Sequence, residues 1–179
     1  MSRKSIHDVK NYNFSQTDML FLDTNIWMYL YGPQPTQKRD VKAYSDALAR
    51  ALEAKSRIYI NITIVSEFIN ASIKAEANLH KEKYKKFKDF RKSSHFKTAA
   101  KETSSAVNRI LKICTRKESG FVSLDIEALL GNYAQGHADF NDLAIVDLCQ
   151  RQKLKLITND GDFKNQDISI LTANKKMLK

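Results

Sequence analysis

The sequence predicts an α/β fold: a central, mostly parallel sheet covered by helices on both faces, with an enlarged basic helical insertion. Short apolar runs of strand length alternate with longer segments whose apolar residues recur every three to four positions, the pattern left by strands joined through helical crossovers. Aspartates stand just past two of the strand-like runs, where ligands meet sheets of this kind.

Residues 19–22 form a short apolar run that ends in Asp-Thr-Asn. Ile26, Trp27, Leu30 and Tyr31 then continue at helical spacing until Gly32-Pro33 interrupts, which reads as strand, turn and helix. Val41, Tyr44, Leu48, Ala51 and Leu52 mark one face of an amphipathic helix over about 37–55. A second strand is expected at 57–61 (RIYIN), followed by a helix over 63–79 carrying Val65, Phe68, Ile69 and Ile73, with Glu67 in its first turns. Residues 80–117 read as two helices, one with Tyr84, Phe87 and Phe90, the other with Val107, Ile110, Leu111 and Cys114; Ser93-Ser94 and Gly120 are the breaks. A short strand at 121–124, helices at 126–133 and 140–152, and strands at 154–158 (LKLIT) and 168–171 (ISIL) complete the series.

At 179 residues the chain fits one domain that can bury a core without disulfides or a structural metal. Residues 1–17 read as an N-terminal extension and 18–179 as the domain proper, including the basic segment 80–117. A hydrophobic content of 42% with 28% charged residues argues against both disorder and a membrane protein. No apolar stretch approaches about 18 residues, and the polar start lacks the apolar middle of a secretory signal, so a cytoplasmic location is expected. Cys114 and Cys149 sit singly in apolar helical patterns and read as buried thiols.

The net charge of +10 is concentrated: residues 80–117 hold 13 lysines and arginines against three acids, so the rest of the chain is balanced. Such a segment is either a solvated helical face or the footprint of a protein that meets a phosphate backbone. Tyr84, Phe87 and Phe90 within it fit helix packing or stacking on bases.

Asp23 directly follows the first strand, and Asp160 lies two residues past Thr158 at the end of a later one. Glu67 follows the second strand by about a turn and a half of helix, and Asp139 and Asp142 share a face at the start of another helix. Any one of these aspartates has an alternative role as an N-cap. Several carboxylates converging at one sheet end would repel and raise each other's pKa unless a cation neutralised them. An all-oxygen cluster suits Mg²⁺ or Mn²⁺, ions that activate water and stabilise an in-line phosphoryl displacement.

LFLDTNIWMYL at 20–30, VSEF at 65–68, ADFNDLAIVDLC at 138–149 and LITNDGDF at 156–163 resemble, in order, the acidic blocks of the PIN-domain nucleases, a family that includes toxin endoribonucleases of the VapC type. The first and last blocks are the specific ones, and the resemblance spans about 18–173. It implies a divalent-metal-dependent endoribonuclease in which Asp23, Glu67, Asp142 and Asp160 are the catalytic, metal-binding acids. Thr24, Asn25 and Thr158 would support them. Asp142 is favoured over Asp139 because small and apolar residues follow it; Asp139 is then an additional ligand or a cap, and Asp162 an additional ligand or a helix cap. The resemblance also implies an RNA substrate, an antitoxin protein as partner where the chain is a toxin, and a homodimer. Compared with a minimal toxin the chain is longer, by its first 17 residues and by the basic segment, where Lys85, Lys86, Lys88, Arg91 and Lys92 are the candidates for guiding an RNA backbone.

His7, His80, His95 and His137 fall in no catalytic arrangement, His137 reading as a loop residue, and there is no Gly-rich phosphate loop or G-x-S-x-G turn. The competing functions are an RNA-processing nuclease, a PIN fold that binds RNA without cleaving it, and a phosphoacceptor receiver domain. The receiver needs a lysine just after a late strand, where this chain has Asn159-Asp160.

Overall fold

The computed structural model describes residues 5–33, 40–136 and 138–179. The described strands form one sheet in the order β1-β6-β5-β2-β3-β4: β1 (Ser5–Asp8), β2 (Met19–Leu22), β3 (Arg57–Ile60), β4 (Thr115–Arg116), β5 (Lys155–Ile157) and β6 (Ser169–Thr172). Every neighbouring pair is parallel. Consecutive side chains on a strand point to opposite faces, so the full burial of Leu20 with Phe21 in β2, and of Ile170 with Leu171 in β6, shows that both faces are covered.

The cover is helical: α1 (Thr24–Tyr31), α2 (Val41–Glu53), α3 (Ile62–Leu79), α4 (Phe87–Arg91), α5 (Ser94–Ile113), α6 (Ile126–Ala134) and α7 (Phe140–Gln152). The start of α2 proposed at residue 37 lies outside the described residues, as does His137. The main core joins Trp27 of α1, Tyr44 of α2, Phe68 of α3, Ile110 of α5 and Leu148 of α7 to the strands. From β2 the chain adds β3 and β4 on one side and then returns to place β5 on the other. That makes the carboxyl end of β2 a switch point, where open α/β sheets form their ligand crevices.

The structure departs from expectation at the edges. Both outer strands escaped notice because neither shows an apolar alternation: β1 is the polar tetrapeptide SIHD, and β4 is two exposed residues. Through β1, Val9 and Phe14, residues 5–17 contribute to the sheet and the main core. The strand expected at 121–124 is instead a 3-10 turn, Phe121–Ser123. Gly120 enters it at φ 73°, a left-handed conformation that favours glycine, and Arg151 of α7 donates to Ser123 Oγ and Ser119 O, holding the loop against the helix.

Tyr84 lies in the turns before α4 and not in a helix. Ser93 does cap α5, its Oγ accepting from Phe96 N–H. Phe90 is buried against Ile73 and Ala99 in a small separate core, joined by Tyr84 and Phe96, while Phe87 remains 51% exposed. Packing therefore accounts for Phe90, and burial removes it from contact with any base.

Candidate active site

Parallel pairing places the carboxyl ends of β2, β5 and β3 side by side, and the acids that follow them in the chain share that edge. Leu22 of β2 is in register with Ile157 of β5, so Asp23 and Thr158 emerge next to each other. Asp23 N–H continues the ladder by donating to Ile157 O at 3.0 Å. Asp23 is only 7% exposed, and Oδ2 accepts from Thr158 Oγ1 at 2.7 Å and from Asn25 Nδ2 at 2.5 Å. It occupies the N-cap position of α1 but makes no side-chain cap bond, so helix capping does not explain it.

Thr158, fully buried, is the hub of this half of the site. Its Oγ1 donates to Asp23 and accepts from Asn25 Nδ2 at 3.2 Å and Asp160 N–H at 3.0 Å, coupling the carboxylate of one strand to the backbone of the next. Asp160 also caps the following 3-10 turn, Oδ1 accepting from Asp162 N–H at 3.0 Å. Asp162 is exposed and is the capped residue, not the cap.

The other half rides on helices. Glu67 of α3 is clamped at both oxygens, by Thr24 Oγ1 on Oε2 at 2.6 Å and by Asn141 Nδ2 on Oε1. Asp142 lies in the first turn of α7; Asp139 is that helix's N-cap residue, exposed and without a side-chain cap bond. Glu67, Asp139 and Asp142 line an open cleft of about 260 Å³ with Tyr133, Phe140 and Asn141.

The electrostatics tie the halves together. Burial pushes the Asp23 carboxyl up to about 6, with Asp160 and Glu67 adding repulsion against the opposing hydrogen bonds from Thr158 and Thr24. Asp142 is pushed up to about 7, first by burial and then by Asp23, Asp160, Asp139 and Glu67. That Asp23 and Asp142 both feel repulsion from Asp160 and Glu67, and Asp142 also from Asp139, marks one shared field of negative charge. Among the described residues no three acids, histidines or cysteines close into a preformed ion cage. An all-oxygen donor set of this kind nevertheless fits Mg²⁺, which keeps several of its waters and takes one or two carboxylates besides substrate phosphates.

The family model of the PIN domain matches residues 20–168. The chain belongs to the PIN domain family. PIN domains are generally nucleases that use divalent metal ions. Among solved structures this PIN domain resembles a chain of VapBC2 from Rickettsia felis, crystallised bound to a DNA fragment from their promoter, with a TM-score of 0.56 at 18% identity, covering 86% of this chain and 97% of that one. No curated protein matches it.

Three contributors to the PIN site were not singled out from sequence. Asn141 bridges α7 to Glu67. Asn159 receives the Tyr44 hydroxyl at 2.8 Å and holds Asn25 Oδ1 through its backbone N–H at 3.3 Å. Tyr44, expected only as a core residue of α2, also accepts from Ala173 N–H at 2.9 Å, and burial pushes its hydroxyl up to about 12. The spacing of Asn141 and Asn159 next to predicted acids was the available signal; nothing local distinguishes Tyr44. Cys149 is buried and Cys114 half-buried, and burial pushes both thiols up, leaving neither activated. Lys85, Lys86, Lys88, Arg91 and Lys92 are exposed around α4. Their anchor, Phe90, packs beside Ile73 and Ala77, about 9 to 15 Å along α3 from Glu67 at the helical rise. Among the described residues no helix is long and apolar enough to cross a membrane.

Proposed function

We propose that the chain is a divalent-metal-dependent endoribonuclease, the toxin of a toxin-antitoxin pair, using Mg²⁺ or Mn²⁺ at Asp23, Glu67, Asp142 and Asp160. The observation that carries this reading is the convergence of acids from two strand ends and two helices: burial, and then repulsion from Asp160 and Glu67, raises the proton affinity of Asp23, and burial with the same acids, Asp23 and Asp139 raises that of Asp142. A site that so disfavours its own charge is one that a cation completes. When bound, a divalent ion there supplies Lewis acidity to a phosphoryl oxygen and makes a water more acidic. The chain's own residues orient the donors: Thr158 and Asn25 fix Asp23, and Thr24 and Asn141 fix Glu67. Asp142, in the cleft wall, adds a carboxylate on the side open to substrate. The toxin role is supported by the fold shared with the VapBC2 chain; an antitoxin would cover this cleft or the surface beside it.

The test is cleavage of a mixed RNA panel with Mg²⁺ or Mn²⁺ by wild type, Asp23→Asn and Asp160→Asn. Cleavage by the wild type alone, abolished by chelation, is expected. Equal activity in all three proteins would sink the assignment, and salt-dependent RNA binding without cleavage would turn it toward a binding module.

A further inference from the structure

The basic segment ends where the acids begin. Because β4 pairs parallel with β3, Ile60 opposite Arg116, the carboxyl end of β4 opens on the same sheet edge as Asp23 and Asp160. Across that edge the strand order β5-β2-β3-β4 sets Asp160, Asp23, the start of α3, and Arg116 with Lys117 in a row. Two strand spacings separate β2 from β4, about 10 Å.

Neighbouring hollows along this row share lining residues. The acid cleft shares Phe140 and Asn141 with a hollow of about 120 Å³ lying between the start of α3 and the loop that carries Phe121. That hollow shares Asn61 with a groove of about 480 Å³ bordered by Arg116 and Lys117. Arg116 is exposed, and neither it nor Lys117 joins an ion pair among the described residues, although Glu118 borders the same groove. The Lys117 ammonium is steadied 4.6 Å from the centre of the Tyr59 ring, and Phe121 leaves 71% of its surface in solvent between the cations and the acids.

We infer that these surfaces form a track for a single-stranded polynucleotide, in which Arg116 and Lys117 hold a phosphate one or more nucleotides from the cleavage centre and Phe121 stacks on an intervening base. The chemistry alternates as such a strand does. Cations match phosphates, an exposed ring matches a base face, and the acids lie at the other end, where the scissile phosphate would enter. The inference rests on the nuclease reading and adds the direction from which substrate crosses the site.

The test uses the full chain in chelator, so that binding is read without cleavage, with a labelled single-stranded oligoribonucleotide and the matching oligodeoxynucleotide across a salt series. Arg116→Glu with Lys117→Glu is expected to weaken binding about tenfold or more and to lower the slope of log K against log salt by about 0.7, the loss of one phosphate contact on a single strand. Phe121→Ala, a change at an exposed ring, is expected to weaken binding about fivefold or more. Restoring metal, KM for a long RNA should rise in the double variant by more than kcat falls. RNA and DNA strands that lose affinity together support backbone contact.

A wild type that neither binds nor cleaves RNA would overturn the nuclease reading itself. A wild type that cleaves, with a double variant unchanged in affinity, slope and KM, would overturn the track alone. So would a loss confined to Lys85→Glu with Lys88→Glu, or capture of polyglutamate in place of the oligonucleotide, which would give the groove to an acidic protein.

Discussion

β2 carries a buried aspartate at each end, and the two have opposite fates. Asp18, just before the strand, is 3% exposed; Asp23, just after it, is 7% exposed. At the amino edge burial by itself would raise the Asp18 carboxyl, but the Lys155 ammonium at 2.5 Å, with Ser15 N–H and Tyr12 hydroxyl, outweighs it and holds the pKa below the usual 3.8. At the carboxyl edge no cation among the described residues bonds to Asp23, its neighbours are other acids, and its pKa rises to about 6. Burial is common to both, so the partner decides. A buried acid matched by a lysine is scaffold; one matched by more acids is set up for a cation from outside.

The contrast can be broken most sharply by taking the charge from each in turn. Asp23→Asn is expected to reduce RNA cleavage on the order of 10²–10³-fold, the loss of a metal-assisted step, while metal-free stability holds or rises as repulsion is relieved. Asp18→Asn should leave cleavage within about twofold and lower the unfolding free energy by about 1–3 kcal/mol, because Lys155 then loses its charged partner. Urea unfolding beside a cleavage assay checks both, and matching behaviour of the two variants would erase the distinction.

Thr158→Val removes the hydroxyl that links Asp23 to Asp160 and is expected to cost about 10- to 100-fold in cleavage or metal affinity. Asn25→Ala, which leaves that hydroxyl in place, should cost less; metal titration of the cleavage rate measures both.

The pH dependence of stability separates the edges by sign. A lowered folded pKa at Asp18 means that its contribution is complete above the unfolded value near 3.8 and is lost as pH falls through the folded one. Lys155→Met should flatten that acid limb in a thermal-melt series. Asp23 has the reverse sign: in metal-free protein its raised pKa makes stability fall as pH climbs from about 4 to about 6. The smallest effect is expected from the ion itself. Saturating Mg²⁺ or Mn²⁺ should raise the melting temperature by about 2–4 °C, and should do so much less in Asp23→Asn.

The fold was legible where burial writes a period into the chain. β2, β5 and β6 and the helices on them announce themselves through Leu20, Phe21, Leu156, Ile170 and the apolar face of α7, because both sides of those strands are covered. The outer strands β1 and β4 lack that pressure, so Ser5 and Thr115 look like loop residues. For the site, the order of acids in the chain pointed to the shared edge, and the structure supplies what order cannot: which neutral residues hold them. Thr158 and Asn25 were within reach because they lie beside the acids. Tyr44 was not, since its partners Asn159 and Ala173 are more than a hundred positions away. The charge surplus was legible as a total but not as a geography. Only the parallel pairing of a two-residue strand reveals that its last two cations share an edge with the acids.

The bond from Thr158 to Asp23 joins positions 135 apart, and β1 waits for β6 across a still longer interval. Contacts of such sequence separation form late and slowly. A chain emerging from the ribosome therefore exposes Asp23 and Glu67 long before Thr158 and Asp160 exist to complete their surroundings. The acid centre cannot assemble until translation has passed β5, so for most of the time it takes to make one chain the ribosome holds a polypeptide that lacks it.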